Sequence, residues 1–167
     1  MEPMLSTPSA ERLRAWRLFF ESALALIDVL GNELEEAAGL PMRWYDVLVQ
    51  LEESPQGIPM NLLAERILHS KSGFTRIVDR MEEEALVRRV RPEHDRRTIL
   101  VVPTDKGTET MERARRYHRD GIERHFSQHL TDTDIKCLTR ALEKVSTHAR
   151  PLRPGRIREQ RTAREQV

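Results

Sequence analysis

Leu13, Trp16, Phe20, Leu24, Ile27, Leu30 and Leu34 recur at intervals of three and four residues, the period of one face of a helix. The run predicts one long helix from Ala10 to near Gly39, with an apolar stripe that needs a partner. A second helix is expected from about Pro41, with Trp44, Val47, Leu48 and Leu51 on one side, ended by Ser54, Pro55, Gln56 and Gly57. A short third helix spans about Met60 to Leu68, and a fourth follows after His69, with Ser70 as its capping residue. Two short helices joined so tightly suggest a helix-turn-helix.

The fourth helix divides by face. Phe74, Ile77, Val78 and Met81 share one side; Lys71, Ser72, Thr75, Arg76 and Asp79 share the other, with Arg80 at its margin. Two β-prone runs follow, Leu86 to Arg91 and Thr98 to Pro103, enclosing the charged turn Pro92 to Arg97. Thr104 and Asp105 then have the character of a helix start, with a capping hydroxyl and an acid in the first turn, and a fifth helix is expected to about Gln128. A sixth starts at Thr131 with Asp134 three residues on, carries Ile135, Leu138, Leu142 and Val145, and ends before Pro151. The expected fold is mainly α with a small β-hairpin wing: a winged helix-turn-helix lobe over 41–103, flanked by helical segments over 10–39 and 104–149. Residues 1–9 form an N-terminal arm, and 151–167 an arginine-rich tail with too little apolar surface to fold unaided.

Composition narrows the partners. The formal net charge is only +1, so a nucleic-acid reading has to rest on where the basic residues fall. The single cysteine, Cys137, excludes an internal disulfide framework and suits a reducing, cytoplasmic setting; beside Leu138 it reads as a small buried apolar side chain. No stretch approaches the roughly 20 apolar residues of a membrane span. A glycine-rich phosphate loop, a nucleophile elbow and a metal-ligand helix of known spacing are all missing, so no enzyme activity and no cofactor are expected.

A helix-turn-helix followed by a two-stranded wing reads DNA, because a helix fits the major groove while a thin ribbon reaches the neighbouring groove or backbone. Ser70, Lys71, Ser72, Thr75, Arg76 and Arg80 supply cations for phosphates and short hydroxyls for backbone or base edges, and Arg91 adds a charge from the wing. At the tip, Asp95 stands close to Arg96 and Arg97, where a carboxylate can hold a guanidinium as it extends into a narrow minor groove. A plainer reading stands beside each of these: a polar helix face can be only solvated surface, and Arg88, Arg89 and Arg91 either contact phosphate or guard a sheet edge.

Four blocks then carry a resemblance. They are Leu63-Ala64-Glu65-Arg66, the run Ser70 to Glu82, Leu86-Val87-Arg88-Arg89, and Asp95-Arg96-Arg97 with Thr104-Asp105-Lys106-Gly107. In this order and spacing, from about Leu40 to Gly107, the chain resembles the MarR family of bacterial transcriptional regulators. The resemblance implies a two-fold homodimer through the first, fifth and sixth helices, bound to a pseudopalindromic double-stranded operator, with Asp95 orienting Arg97 for the minor groove. It also implies a repressor released by a small-molecule effector; a winged-helix interaction or scaffold module without specific DNA binding is the alternative. Two positions depart from the family pattern. Ala85 replaces the usual glycine after the recognition helix, at a cost of about 1 kcal/mol if the site is left-handed, and Trp44 replaces a common glutamine.

Three features stay open. Trp16, Phe20, Trp44 and Tyr45, with Arg43 as anionic anchor, either line a pocket for a small aromatic effector or pack as core. His118, His125 and His129 fall near one helical face, but no acid or cysteine beside them completes a metal site. The tail arginines either add nonspecific DNA affinity or have no structural task.

Overall fold

The computed structural model describes residues 7–67, 73–93, 95 and 97–149. The first helix, α1, spans Ala10–Ala38; the Ser9 hydroxyl accepts from the Arg12 N–H at its start, and Gly39 in left-handed geometry ends it by donating to the Glu35 carbonyl. Then come α2 (Met42–Glu52), the two-residue strand β1 (Ile58–Pro59), α3 (Met60–Arg66) and α4 (Phe74–Glu83). The hairpin is β2 (Val87–Val90) and β3 (Leu100–Pro103), followed by α5 (Asp105–His125), a 3-10 turn at Ser127–His129 and α6 (Asp132–Ala149).

Strand β3 is central in an antiparallel three-stranded sheet, with β2 on one side and β1 on the other. Arg89 lies opposite Val101 in one pairing, and Ile58 opposite Val101 in the other. The third strand was not anticipated: two residues ending in a proline are too short to show an alternating pattern. Pro59 is tolerated because β1 is an edge strand.

The core fills the space between α2, α3, α4 and the sheet, extended by the near ends of α1 and α5. Leu51, Leu63, Val47, Val78, Met81 and Val101 are completely enclosed, together with Leu34 from α1 and Met111 from α5. Burying each such side chain contributes about 1.5–3 kcal/mol, so the lobe is held by its own residues. The faces expected for α2 and α4 are those observed: Val47, Leu48 and Leu51 are buried, as are Phe74, Val78 and Met81. Trp44 is half-buried against this core, and Tyr45 is within it.

Outside the lobe the picture reverses. Trp16 is 61% exposed and Phe20 50%, with Leu13, Leu24 and Ile27 similarly open. In α6 no residue is buried: Val145 is 57% exposed, and Cys137, expected as a small buried side chain, is exposed within one chain. The predicted caps are nevertheless in place: Thr104 Oγ1 accepts from the Gly107 N–H at 3.0 Å. Thr131 and Asp134 bond each other's N–H groups reciprocally at 3.2 and 3.0 Å. Among the described residues no helix is long and apolar enough to cross a membrane.

Candidate nucleic-acid interface

Recognition helix α4 begins later than its sequence suggests. Gly73 sits ahead of Phe74 with φ +79°, a left-handed geometry that suits glycine and marks the start of the helix. Ser70, Lys71 and Ser72 lie outside the described residues, as does Arg96. Within the helix, Thr75, Arg76 and Arg80 are exposed on the side away from Phe74, Val78 and Met81. Polar reach and apolar anchorage are thus separated on one ten-residue helix.

The far end of α4 is closed by a turn in which the Leu86 N–H donates to the Met81 carbonyl at 2.8 Å and the Ala85 N–H to the Glu82 carbonyl at 2.9 Å. This pattern requires a left-handed residue, and Ala85 supplies it at φ +55°. The conditional cost anticipated for this alanine therefore applies: its Cβ sits where glycine would be relaxed, at about 1 kcal/mol.

The start of α5 grips the same turn. Thr104 Oγ1 donates to the Ala85 carbonyl at 2.6 Å, and Lys106 Nζ donates to the Glu84 carbonyl at 2.6 Å. Gly107 lets the helix come this close, since a Cβ there would lie 2.0 Å from the Leu86 carbonyl oxygen. The Thr104-Asp105-Lys106-Gly107 block is thus a physical device: a cap, a carbonyl ligand and a clearance that weld α5 to the end of α4.

The wing leaves from this junction. Its tip is a compact turn in which the Asp95 carboxylate accepts from the Arg97 main-chain N–H at 3.0 Å and from the Thr98 hydroxyl at 2.6 Å. Asp95 therefore orders Arg97 through its backbone, while the Arg97 side chain is exposed. Arg91 is exposed as well.

Arg89, unlike the exposed Arg88 and Arg91, is engaged by side chains of α4. Its guanidinium bonds Glu82 Oε2 and Asp79 Oδ1, each at 2.6 Å, and its N–H bonds Glu82 Oε1 at 2.8 Å. Burial opposes the charge, but the bonds to Asp79 and Glu82 outweigh it and raise the pKa of Arg89 above its usual value. Asp79 is correspondingly drawn from the DNA-facing set toward the wing.

The aromatic residues proposed for an effector fall in two places. Trp16 stacks on Phe20 with ring centroids 5.8 Å apart on the open part of α1. Tyr45 lies at the α2–α5 contact, its ring 5.0 Å from that of His118, while Arg43 is exposed. Burial raises the pKa of Tyr45 against the effect of Arg115 and lowers that of His118 against the effect of Asp46. A separate cavity of about 310 Å³ is lined by Glu33, Glu36, Ala37, Tyr117, Asp120 and Arg124.

The three histidines are likewise dispersed in purpose. His118 faces Tyr45, His125 Nε2 meets Glu33 Oε1 at 2.7 Å, and His129 Nε2 meets the Arg124 carbonyl at 3.1 Å. No cluster of three metal-ligating side chains occurs among the described residues.

An exposed recognition-helix face, a buried anchoring face and an ordered arginine-tipped ribbon define a winged helix-turn-helix protein. The comparison with known proteins narrows this: the MarR family model matches residues 38–98, from the end of α1 to the turn between β2 and β3. The chain is 34% identical to AbsC, a MarR family transcriptional regulator from Streptomyces coelicolor, over 87% of this chain and 99% of that one, with a TM-score of 0.77. It is 29% identical to Sco3205, a MarR family regulator from the same organism solved in complex with DNA, over 90% and 94% of the two chains, with a TM-score of 0.80. The fold alone is shared with the organohalide-sensing regulator RdhR in its ligand-free form, at 18% identity, 93% and 94% coverage and a TM-score of 0.73. No curated protein matches significantly. The chain belongs to the MarR family and is a DNA-binding transcriptional regulator rather than an enzyme.

Proposed function

We propose that the chain acts as a homodimer on a pseudopalindromic duplex operator and represses transcription until a small aromatic effector releases it. The observation that carries the DNA reading is the exposed Thr75/Arg76 side of α4, coupled to a ribbon whose Arg97 backbone is fixed by Asp95. Ser70, Lys71, Ser72 and Arg80 extend the helix contact, and Arg91 and Arg96 that of the wing. Two half-sites about one DNA turn apart would seat both recognition helices at once.

The dimer rests on the exposed Leu13 to Ile27 stripe of α1 and on the Ile135 to Val145 stripe of α6, in which Val145 is exposed and Ile135, Leu138 and Leu142 are half-buried. The first of these helices packs along α5, which is welded to the turn after α4 through Thr104 and Lys106. A ligand that favours one packing of α1 and α5 over another would therefore alter the separation of the two recognition helices, and release follows from its differential affinity. Trp16, Phe20, Arg43 and Trp44 are the proposed effector contacts, whereas Tyr45 is enclosed in the core beside His118. Support at the level of the fold comes from RdhR, whose structure is also known in a 2,4-dichlorophenol-bound form.

The test is a gel-shift titration with the DNA upstream of the protein's own gene at two salt concentrations. A sequence-selective, salt-sensitive shift that is lost in Arg97→Ala and weakened in Arg76→Ala, with the dimer intact in both, is the expected result. No shift at any concentration would replace this reading with that of a protein-interaction module.

A further inference from the structure

A basic residue on a wing strand is ordinarily taken as a phosphate contact. Arg88, Arg91 and Arg97 are exposed and fit that pattern. Arg89 does not. Its side chain is 24% exposed, and it reaches from β2 to both carboxylates that α4 turns toward the wing, Asp79 and Glu82. Three bonds of 2.6–2.8 Å are made, one of them from its main chain. A planar guanidinium fork meets two carboxylates in this way; a lysine ammonium has one point of charge and no fork.

Two consequences follow for DNA recognition. The single guanidinium charge offsets one of the two carboxylate charges on the helix that carries Arg76 and Arg80, where bare carboxylates would repel phosphate. They also fix the attitude of β2, and of the paired β3, against α4. Helix and ribbon must enter neighbouring grooves together, so their spacing decides which duplexes accept both.

We propose that Arg89 is a positioning residue for sequence discrimination: through Asp79 and Glu82 it sets the spacing of recognition helix and wing, without touching DNA itself. This rests on the sequence-specific DNA binding proposed above.

The probe is a duplex selected by the wild-type protein from a random-sequence pool, compared with a scrambled duplex by fluorescence anisotropy across a salt series. Arg89→Ala is expected to lose about tenfold or more in affinity for the selected duplex and much less for the scrambled one. Its salt slope on the selected duplex stays at the wild-type value, because no phosphate contact is removed. The double variant D79N/E82Q, which removes two negative charges near the DNA, is expected to bind scrambled duplex more tightly yet discriminate less. Arg89→Lys is expected to restore only part of the selectivity.

A salt slope reduced by about 0.9 in Arg89→Ala, with both duplexes weakened alike, would make Arg89 a phosphate contact and overturn the proposal. Unchanged selectivity in either Arg89→Ala or D79N/E82Q would overturn it too. Melting curves monitor folding, and where Arg89→Ala melts too low to assay, D79N/E82Q decides. A wild-type protein that selects no sequence removes the DNA reading and this inference together, a result distinct from either variant outcome.

Discussion

The lobe from α2 to β3 and the long helices α1 and α6 are built of similarly apolar stripes, yet only the lobe encloses its own. Leu51, Leu63, Val78 and Val101 are fully buried within one chain, while Trp16, Phe20 and Val145 at the other end are half-exposed or more. Periodicity says that a face will be covered; it does not say by which chain. The lobe is a finished core, whereas the helices leave apolar faces open within one chain.

The largest effect should come from the finished half. Leu51→Ala removes a wholly buried side chain and is expected to cost about 2–5 kcal/mol in chemical denaturation, with DNA binding lost as the lobe loosens. An unchanged midpoint would mean that the lobe is not the stability core.

The next test addresses the unfinished half. Leu24→Glu with Ile27→Glu places charges on the open stripe of α1 and is expected to weaken self-association by about 2 kcal/mol or more. Sedimentation should show monomers at concentrations where wild type is dimeric. A double mutant that sediments like wild type would assign that stripe to some other task.

A smaller and opposite effect is expected at the joint between lobe and α5. Ala85→Gly relieves the left-handed strain at φ +55° and should raise stability by about 1 kcal/mol, read as a higher melting temperature. A fall on this substitution would show that the turn tolerates alanine without strain.

The smallest effect is a dependence on pH. Burial lowers the pKa of His118 below its ordinary 6.5, so the folded state favours the neutral ring. Its contribution is present above about pH 6.5 and is lost as acid protonates the unfolded chain preferentially. His118→Gln is expected to flatten the melting temperature between pH 7.5 and 5.5, and an unaltered pH profile would exclude His118 as the cause.

Much of the candidate site was legible because it is local. The face division of α4, the Thr104 cap and the Thr131/Asp134 pair depend on residues within a turn of one another, and each appears where its spacing put it. The strain at Ala85 was foreseen as a condition, and the backbone satisfies it. Strand β1 was hidden because two residues carry no period, and the late start of α4 because Gly73 takes a left-handed turn inside what reads as continuous helix. The Arg89 clamp was hidden for a different cause: an arginine, an aspartate and a glutamate spaced ten and seven residues apart look like ordinary charged surface until a turn brings strand and helix together.

By itself the sequence determined which segments are helical, which faces are apolar, where the helices stop and that a charged hairpin follows the recognition helix. Those features follow from short-range periodicity, caps and turn residues. Tertiary structure alone decided that Arg89 is held by Asp79 and Glu82, that Lys106 and Gly107 close on the end of α4, and that Tyr45 meets His118. Each of these joins elements through space, and the strength of such a contact depends on geometry that spacing along the chain does not encode.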